Sequence, residues 1–417
     1  MIKNILLSAL SILTLNSYAQ FKTILKQRAE QNAANAAEKG VMNVFKKKDK
    51  KNAADEKGSQ AATPNPEASA NSTVAAPLSL KTYSKYDFIP GEKVVAYTDF
   101  SQDEMGDFPA HWNTNGTGEI MKVEGRDGKW LSTAKEGYYI PSFINSLPDN
   151  FTLEYDVIFI PLPELKGPNT PSFGFQIADI DLKKNPFEMA PARAQFTIDP
   201  YMQNFDFESY EKAGQKILSN STTVGGLERH SIHAYHVAVW RQKQRVRVYL
   251  DQNKVCDLPM VLSETEKYNA IRFVTDLNND GSNWLMSNIK LAVGAPDTRN
   301  KLMTEGKFST TGILFDVNSA NIKAGSYGTL KQIAQVLQEN AGVKVKIVGH
   351  TDSDGDNAAN LSLSKQRADA VKASLATEFG IDESRMQTDG KGETQPAVAN
   401  TTMEGKAQNR RVEFIKM

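Results

Sequence analysis

Asp352 and Arg367 are of the residue types needed to hold a ligand that carries both an ammonium and a carboxylate. A carboxylate pairs with the ammonium, and a planar guanidinium grips the ligand's carboxylate through a two-pronged hydrogen-bonded fork. Asp352 follows an apolar run that ends a strand, and Arg367 falls in the first half of the next helix-periodic segment, where the returning chain can bring the two together. The same spacing also allows an ordinary surface ion pair, which contributes little. Residue types alone leave both readings open.

Other groups of reactive side chains have plainer explanations. His230, His233 and His236 could be taken for a metal cluster, but their surroundings are strand-like. On a strand His233 points away from its neighbours, which lie roughly 20 Å apart. Asp276-Leu-Asn-Asn-Asp-Gly281 matches the first half of a calcium loop, yet Ser287 stands where the closing acid belongs. A turn rich in Asn, Asp and Gly between two strands needs no ion. Cys256 is the only cysteine, which excludes an internal disulfide and reads as a small buried hydrophobe. No cofactor and no metal are expected.

The elements that must position Asp352 and Arg367 alternate between strand and helix over residues 303–417. Ile313–Phe315 is expected as a first strand; Leu330, Ile333, Ala334 and Leu337 mark a helix; Val343–Val348 is a second strand. Leu363, Arg367, Val371, Leu375 and Phe379 recur every fourth residue and predict a helix from about Asn360 to Glu378. Met386–Lys391 and Val412–Lys416 complete a βαβαββ domain. Upstream, residues 83–298 switch to period two. Phe151, Leu153, Tyr155, Val157 and Phe159 alternate with Thr152, Glu154 and Asp156, and Val246, Val248 and Leu250 alternate with Arg245, Arg247 and Asp251. Many short strands punctuated by turns such as Gly167-Pro-Asn169 predict an antiparallel β-sandwich with one dry and one wet face per strand. A membrane β-barrel is the alternative, but its wet side chains would crowd a narrow lumen.

The first nineteen residues, with Lys3, the apolar run Ile5–Leu15 and the small-x-small triplet Ser17-Tyr-Ala19, read as an export signal cleaved before Gln20. Residues 20–82 read as an alanine-rich, lysine-bearing helix followed by a linker poor in large apolar side chains. Lys+Arg and Asp+Glu both number 49, so the overall charge makes no case for nucleic acid. The expected destination lies beyond the inner membrane.

Two resemblances add to this. The segment carrying Phe315-Asp-Val-Asn318, Gly349-His-Thr-Asp-Ser-Asp-Gly355, Asn360-Leu-Ser-Leu-Ser-Lys-Gln-Arg-Ala368, Gly392-Glu393, Pro396 and Asn409-Arg-Arg-Val-Glu413 resembles the OmpA-like peptidoglycan-associating family. The resemblance implies binding of the diaminopimelate side chain of the peptide stem, with Asp352 on its ammonium and Arg367 on its carboxylate. Thr351, Asn318, Asn360 and Arg410 match positions around that ligand. The run from Tyr86-Asp-Phe-Ile-Pro-Gly91 through Gly106-Asp-Phe-Pro109 to Trp112, with Val237–Trp240 and Arg245–Asp251, resembles concanavalin A-like jelly-roll domains. Some members of that fold are glycosidases with Glu-x-Asp-x-x-Glu on one strand; here Glu154 and Asp156 begin the pattern and Phe159 ends it. Glycoside hydrolysis needs two carboxyl groups flanking the scissile bond, so the pair reads as a solvated outer face. The expectation is a non-enzymatic wall-binding protein that presents a β-sandwich to a glycan or an outer-membrane component. A lectin-like module merely localised to the wall is the second reading.

Overall fold

The computed structural model describes residues 86–133, 136–160, 172–224, 227, 233–276, 283–294 and 298–417, all within one compact unit. The expected signal, helix and linker, the turn at 167–169, His230 and the body of the calcium-like turn lie outside the described residues.

The middle region folds into β1 Lys93–Thr98, β2 Trp112–Thr114, β3 Glu119–Met121, β4 Trp130–Thr133, β5 Gly137–Pro141, β6 Asn150–Ile160, β7 Phe173–Ala178, β8 Arg193–Asp199, β9 Asn204–Tyr210, β10 Lys216–Thr223, β11 Ala234–Gln242, β12 Arg245–Leu250, β13 Asn253–Leu258, β14 Ala270–Thr275 and β15 Asn283–Val293. One antiparallel sheet runs β13-β12-β11-β6-β15-β4-β3, with β1 also on β15; the other runs β10-β9-β8-β7-β14-β5-β2. The alternation in the sequence works as anticipated on the inner faces. Tyr155 of β6 meets Phe273 of β14 edge-on at 5.0 Å and Phe175 of β7 at 6.1 Å, and Phe173 meets Trp284 at 5.4 Å. Two open sheets with aromatic rings packed between them make a sandwich, not a barrel around a lumen.

The outer face of the first sheet departs from expectation. Thr152 and Glu154, assigned to water by the alternation, are both 3% exposed. The C-terminal domain and an extended strap at residues 86–92 cover them. Tyr86 and Phe88 of the strap pack with Ala238 and Tyr249 of the sheet and with Tyr327, and Trp240 and Phe379 close the cluster. Gly328 is needed here, because a Cβ would sit 2.0 Å from the carbonyl oxygen of Phe88. A wet face and an interdomain face carry the same polar residues, so period two cannot tell them apart.

The C-terminal domain comprises β16 Lys307–Thr310, α1 Tyr327–Glu339, β17 Val345–Gly349, α2 Asn357–Phe379, β18 Met386–Gly390, α3 Met403–Asn409 and β19 Val412–Lys416. Its sheet runs β16-β19-β17-β18, with β17 and β18 parallel and the other pairs antiparallel. Leu330, Ile333 and Leu337 of α1 and Val371 and Leu375 of α2 pack on Phe308, Val345, Ile347, Met386 and Phe414 of the sheet. Two details correct the expected βαβαββ order. The first strand is Lys307–Thr310, with Phe308 and Thr310 turned inward. Residues 313–315 instead form a loop with a single bridge, Phe315 to Ile322. There the Ser326 hydroxyl takes the place of a strand partner, accepting from the Leu314 N–H and donating to the Leu314 carbonyl. In addition, α3 intervenes between the last two strands, begun by the Thr402 hydroxyl accepting from the Gly405 N–H. No described helix is long and apolar enough to cross a membrane.

Candidate functional site

The site assembles at the end of β17, and glycines set its geometry. A Cβ on Gly349 would lie 2.0 Å from the Ser364 carbonyl oxygen, and one on Gly390 would lie 2.4 Å from the Lys365 nitrogen. These two strand-end glycines let the first half of α2 rest directly on the sheet. Asp356 caps α2, its carboxylate accepting from the N–H groups of Ala358 and Ala359. Asn360 and Arg367 are seven residues apart, close to two helical turns, and so share the face of α2 turned to the strand ends.

Beyond Gly349 the chain bends through His350, Thr351 and Asp352, all buried. The Thr351 N–H donates to the Gly392 carbonyl at 3.0 Å, fixing the bend to the turn after β18. The Asn360 amide donates to the carbonyls of Asp354 (3.0 Å) and Asp352 (3.4 Å) and to Glu393 Oε2 (2.7 Å), so it braces the 352–354 loop. Asp352 is only 7% exposed. Its Oδ1 accepts from the Asp354 N–H at 3.1 Å, and its Oδ2 accepts from Arg410 Nη1 at 2.5 Å. The acidic partner of the sequence-level pair is therefore joined to Arg410 and not to Arg367.

Arg367 is held differently. Its Nε donates to the Ser319 carbonyl at 3.0 Å and one terminal nitrogen reaches the Asp316 carbonyl at 3.5 Å, while its guanidinium carbon lies 4.9 Å from the centre of the Phe315 ring. Among the described residues, two of the fork's five donors are engaged in this way. Burial, followed by the like charge of Arg410, pushes its pKa down, and Asp352 opposes them. Burial also works against the charge on Arg410, but Tyr97 and Asp352 more than offset it and the pKa is raised. The Asp352 carboxylate thus sits among two guanidinia in a half-dry setting, with Asp99 adding negative charge on the Arg410 side.

Of the six residues singled out in the sequence, Asp352, Arg367 and Arg410 converge. Asn360 and Thr351 support the loop, and the Thr351 hydroxyl is buried without a hydrogen-bond partner. Asn318 is exposed on the loop that wraps Arg367, with a left-handed φ of 51°. Phe315, Ser319 and Glu393 were not assigned roles from sequence; Phe315 and Glu393 stood inside the family-like motifs, which was their only signal. Tyr97 carried no signal at all. It comes from β1 of the sandwich, yet its ring centre lies 4.9 Å from the guanidinium carbon of Arg410. Asn409 and Arg411, flanking Arg410, are buried struts. Asn409 accepts from the N–H groups of Ala397 and Val398, and Arg411 pairs with Glu413 at 2.7 Å.

The carboxylates and histidines of the middle region serve a different purpose. Glu154 lies 2.8 Å from Lys290 Nζ and 3.5 Å from His236 Nε2; Asp156 lies 2.7 Å from His236 Nδ1 and accepts from the Asn288 amide at 2.7 Å. Burial alone would depress the His236 pKa, but hydrogen bonds to Asp156 and Glu154 lift it to about 9. Both acids are held below the usual carboxylate range, since these partners outweigh burial. The two acids cannot flank a glycosidic bond, because both face the C-terminal domain. His233 bonds Asp251 at 3.1 Å. Among the described residues no group of three or more His, Cys, Asp or Glu is arranged to hold a metal ion. Cys256 is buried, and burial pushes its thiol up to about 12.

Comparison with known proteins bears on the C-terminal domain first. Residues 314–410 match the OmpA family, and the C-terminal part of the chain is an OmpA family domain. The Escherichia coli protein "Probable lipoprotein YiaD" is 46% identical over 102 residues, covering 24% of this chain and 46% of its own length. The chain thus spans about half the length of that curated relative. The peptidoglycan-associated lipoprotein from Burkholderia pseudomallei is 26% identical, with 29% of this chain and 98% of that one covered at a TM-score of 0.25. Carbohydrate-binding module CBM66 from Bacillus subtilis is 17% identical, with 44% of this chain and 95% of that one covered at a TM-score of 0.30.

Proposed function

We propose that this chain is a non-enzymatic envelope protein whose C-terminal domain holds peptidoglycan non-covalently by the free amino-acid end of diaminopimelate. The observation that carries the reading is the open fork of Arg367 beside Asp352, with Arg410 supplying a second guanidinium. The ligand's carboxylate meets the free donors of Arg367. Its ammonium meets Asp352, whose oxygens accept more than the two hydrogen bonds they already take. Arg410 fixes the carboxylate in place, Asn360 and Thr351 hold the loop behind it, and Asn318 stands at the rim. The OmpA family match and the 46% identity to a probable lipoprotein support an envelope location and wall association. Residues 20–82 would serve as the arm leading to the paired domains, delivered by an export signal at 1–19.

Co-sedimentation of the whole chain with purified sacculi containing diaminopimelate tests the proposal. The wild type should pellet with the wall, and Arg367→Ala should weaken that by about tenfold or more, as expected for a lost charge-assisted contact. Unchanged pelleting of folded Arg367→Ala and Asp352→Ala proteins would remove these residues from the site. A folded wild type that stays in solution would remove the function.

A further inference from the structure

The sandwich and the OmpA family domain meet along β1 and α3, and that junction is held in one geometry. The Val94 N–H of β1 donates to Gln408 Oε1 at 2.8 Å, Gln408 Nε2 donates to the Glu92 carbonyl at 3.0 Å, and the Tyr97 N–H donates to Glu404 at 3.4 Å. Side chains of α3 thus occupy the free hydrogen-bonding edge of β1. Beside this seam lies a cleft of about 350 Å³, lined by Tyr97, Gln102, His111, Trp112, Phe143 and Glu404 among others. The volume is in the range of small-molecule sites, ~300–1,000 Å³. Lys129 keeps the loop on one wall in place by donating to the carbonyls of Ser101 (3.2 Å) and Asp103 (2.5 Å).

The cleft adjoins the charged site through Tyr97. Tyr97 lines the cleft and also covers Arg410, and α3 contributes Glu404 to the cleft and leads directly into Arg410. We infer that the cleft binds an N-acetylated hexosamine of the glycan strand whose stem peptide occupies the Asp352–Arg367 site; this rests on the function proposed above. The chemistry suits a sugar. The half-buried rings of Tyr97 and Phe143 border the cleft and offer apolar surface to the C–H face of a pyranose, with the buried Trp112, stacked on Phe273, as the floor beneath them; Gln102, His111 and Glu404 supply hydrogen-bonding groups for hydroxyl and acetamido groups. Two amino-acid residues separate diaminopimelate from the sugar-linked end of the stem, a span of roughly 7 Å when extended. The two domains would then read one wall fragment together, the peptide by one and the sugar by the other.

Binding of the whole chain to two soluble probes tests this: a disaccharide–tripeptide ending in diaminopimelate, and the same tripeptide without sugars. The wild type should bind the disaccharide–tripeptide about tenfold more tightly, the gain from linking a second weak contact to the first. In the double variant Gln102→Ala/His111→Ala, whose two side chains are exposed, that advantage should vanish while the bare tripeptide binds as before. If wild type binds both probes equally, the sugar site is overturned and the stem-peptide reading stands. The sugar site is likewise overturned, with the stem-peptide reading intact, if the folded double variant keeps the full advantage. If neither probe binds, the stem-peptide reading fails and the sugar site fails with it.

Discussion

Glu154, Asp156, His236 and Lys290, beneath the junction of the two domains, form a cluster in which each charge faces an opposite one. Asp352, Arg367 and Arg410 are also withdrawn from water, but there Asp352 pairs with Arg410, while Arg367 is held by two backbone carbonyls and the face of Phe315. The first cluster has two acids and two bases and is covered by the neighbouring domain. The second has an unmatched guanidinium at a half-exposed edge. In the first cluster the charges balance, although Glu154 Oε1 and His236 Nε2 are ion-paired without a well-formed hydrogen bond; in the second the charges do not cancel so evenly, and an uncompensated buried charge costs stability. With the function proposed above, the contrast casts the first cluster as interdomain adhesive and the second as a receptor, and it can be broken from either side.

The largest effect should come from the closed cluster. Glu154→Ala would strand Lys290 and weaken the hold on His236 in a buried setting. Removing one partner of a buried ion pair costs about 3–5 kcal/mol, so the unfolding midpoint in denaturant should fall sharply. A loss under about 1 kcal/mol would mean that the junction is wet and that the charges there are no more than surface pairs.

The same cluster should make stability depend on pH on the alkaline side. His236 has a folded pKa raised to about 9 against an ordinary value near 6.5. A raised pKa means that its contribution is fully present below pH 6.5, declines as pH climbs, and is gone once pH passes about 9. The linked loss is roughly 3 kcal/mol. Denaturant titrations between pH 6 and pH 10 should show this slope in the wild type and a flatter one in His236→Gln. Equal slopes in the two proteins would take His236 out of the cluster's energetics.

At the open site the effect should be on binding. Asp352→Ala and Arg367→Ala should each weaken attachment to diaminopimelate-type sacculi by about tenfold to a hundredfold, at roughly 1.5–3 kcal/mol per charge-assisted contact. The double variant should lose less than the sum, because both side chains serve one ligand head. Strict additivity in a sedimentation assay would indicate two separate ligands and would dissolve the comparison.

Much of this was legible in the order of residue types, and what was missed has a consistent cause. Alternation in Phe151–Phe159 identified the inward face of β6 correctly, since apolar side chains every second residue can do little else. It could not identify what covers the other face, because Glu154 and Asp156 look the same against water as against a second domain. The helix carrying Arg367 followed from its four-residue recurrence, and its ends shifted by a few residues once the Asp356 cap and Gly380 were in place. The strand expected at Ile313–Phe315 failed because a local turn meets the backbone's hydrogen-bonding needs, the Lys323 N–H donating to the Leu314 carbonyl and the Ser326 hydroxyl accepting from the Leu314 N–H. The tie between Asp352 and Arg410 was illegible for a similar reason: the last turn of α3 carries Arg410 back to the strand end, and only tertiary structure records that return.

The smallest expected change separates receptor from adhesive most cleanly. Arg367→Met keeps an unbranched apolar stem but gives up the guanidinium's place over Phe315 and removes the charge that Arg410 repels. It gives up one good hydrogen bond to a carbonyl at 3.0 Å and one marginal one at 3.5 Å. The Ser319 and Asp316 carbonyls belong to a loop where water can replace the lost donors, so the cost is small and the relief of like-charge repulsion opposes it. The unfolding midpoint should therefore stay within about 1 kcal/mol of wild type, on either side, while wall binding collapses. That pairing of near-neutral stability with lost function is what a group kept for its ligand should give. If Arg367→Met instead unfolds the domain as readily as Glu154→Ala is expected to loosen the junction, Arg367 is a strut like Arg411, and the receptor must be sought elsewhere on the molecule.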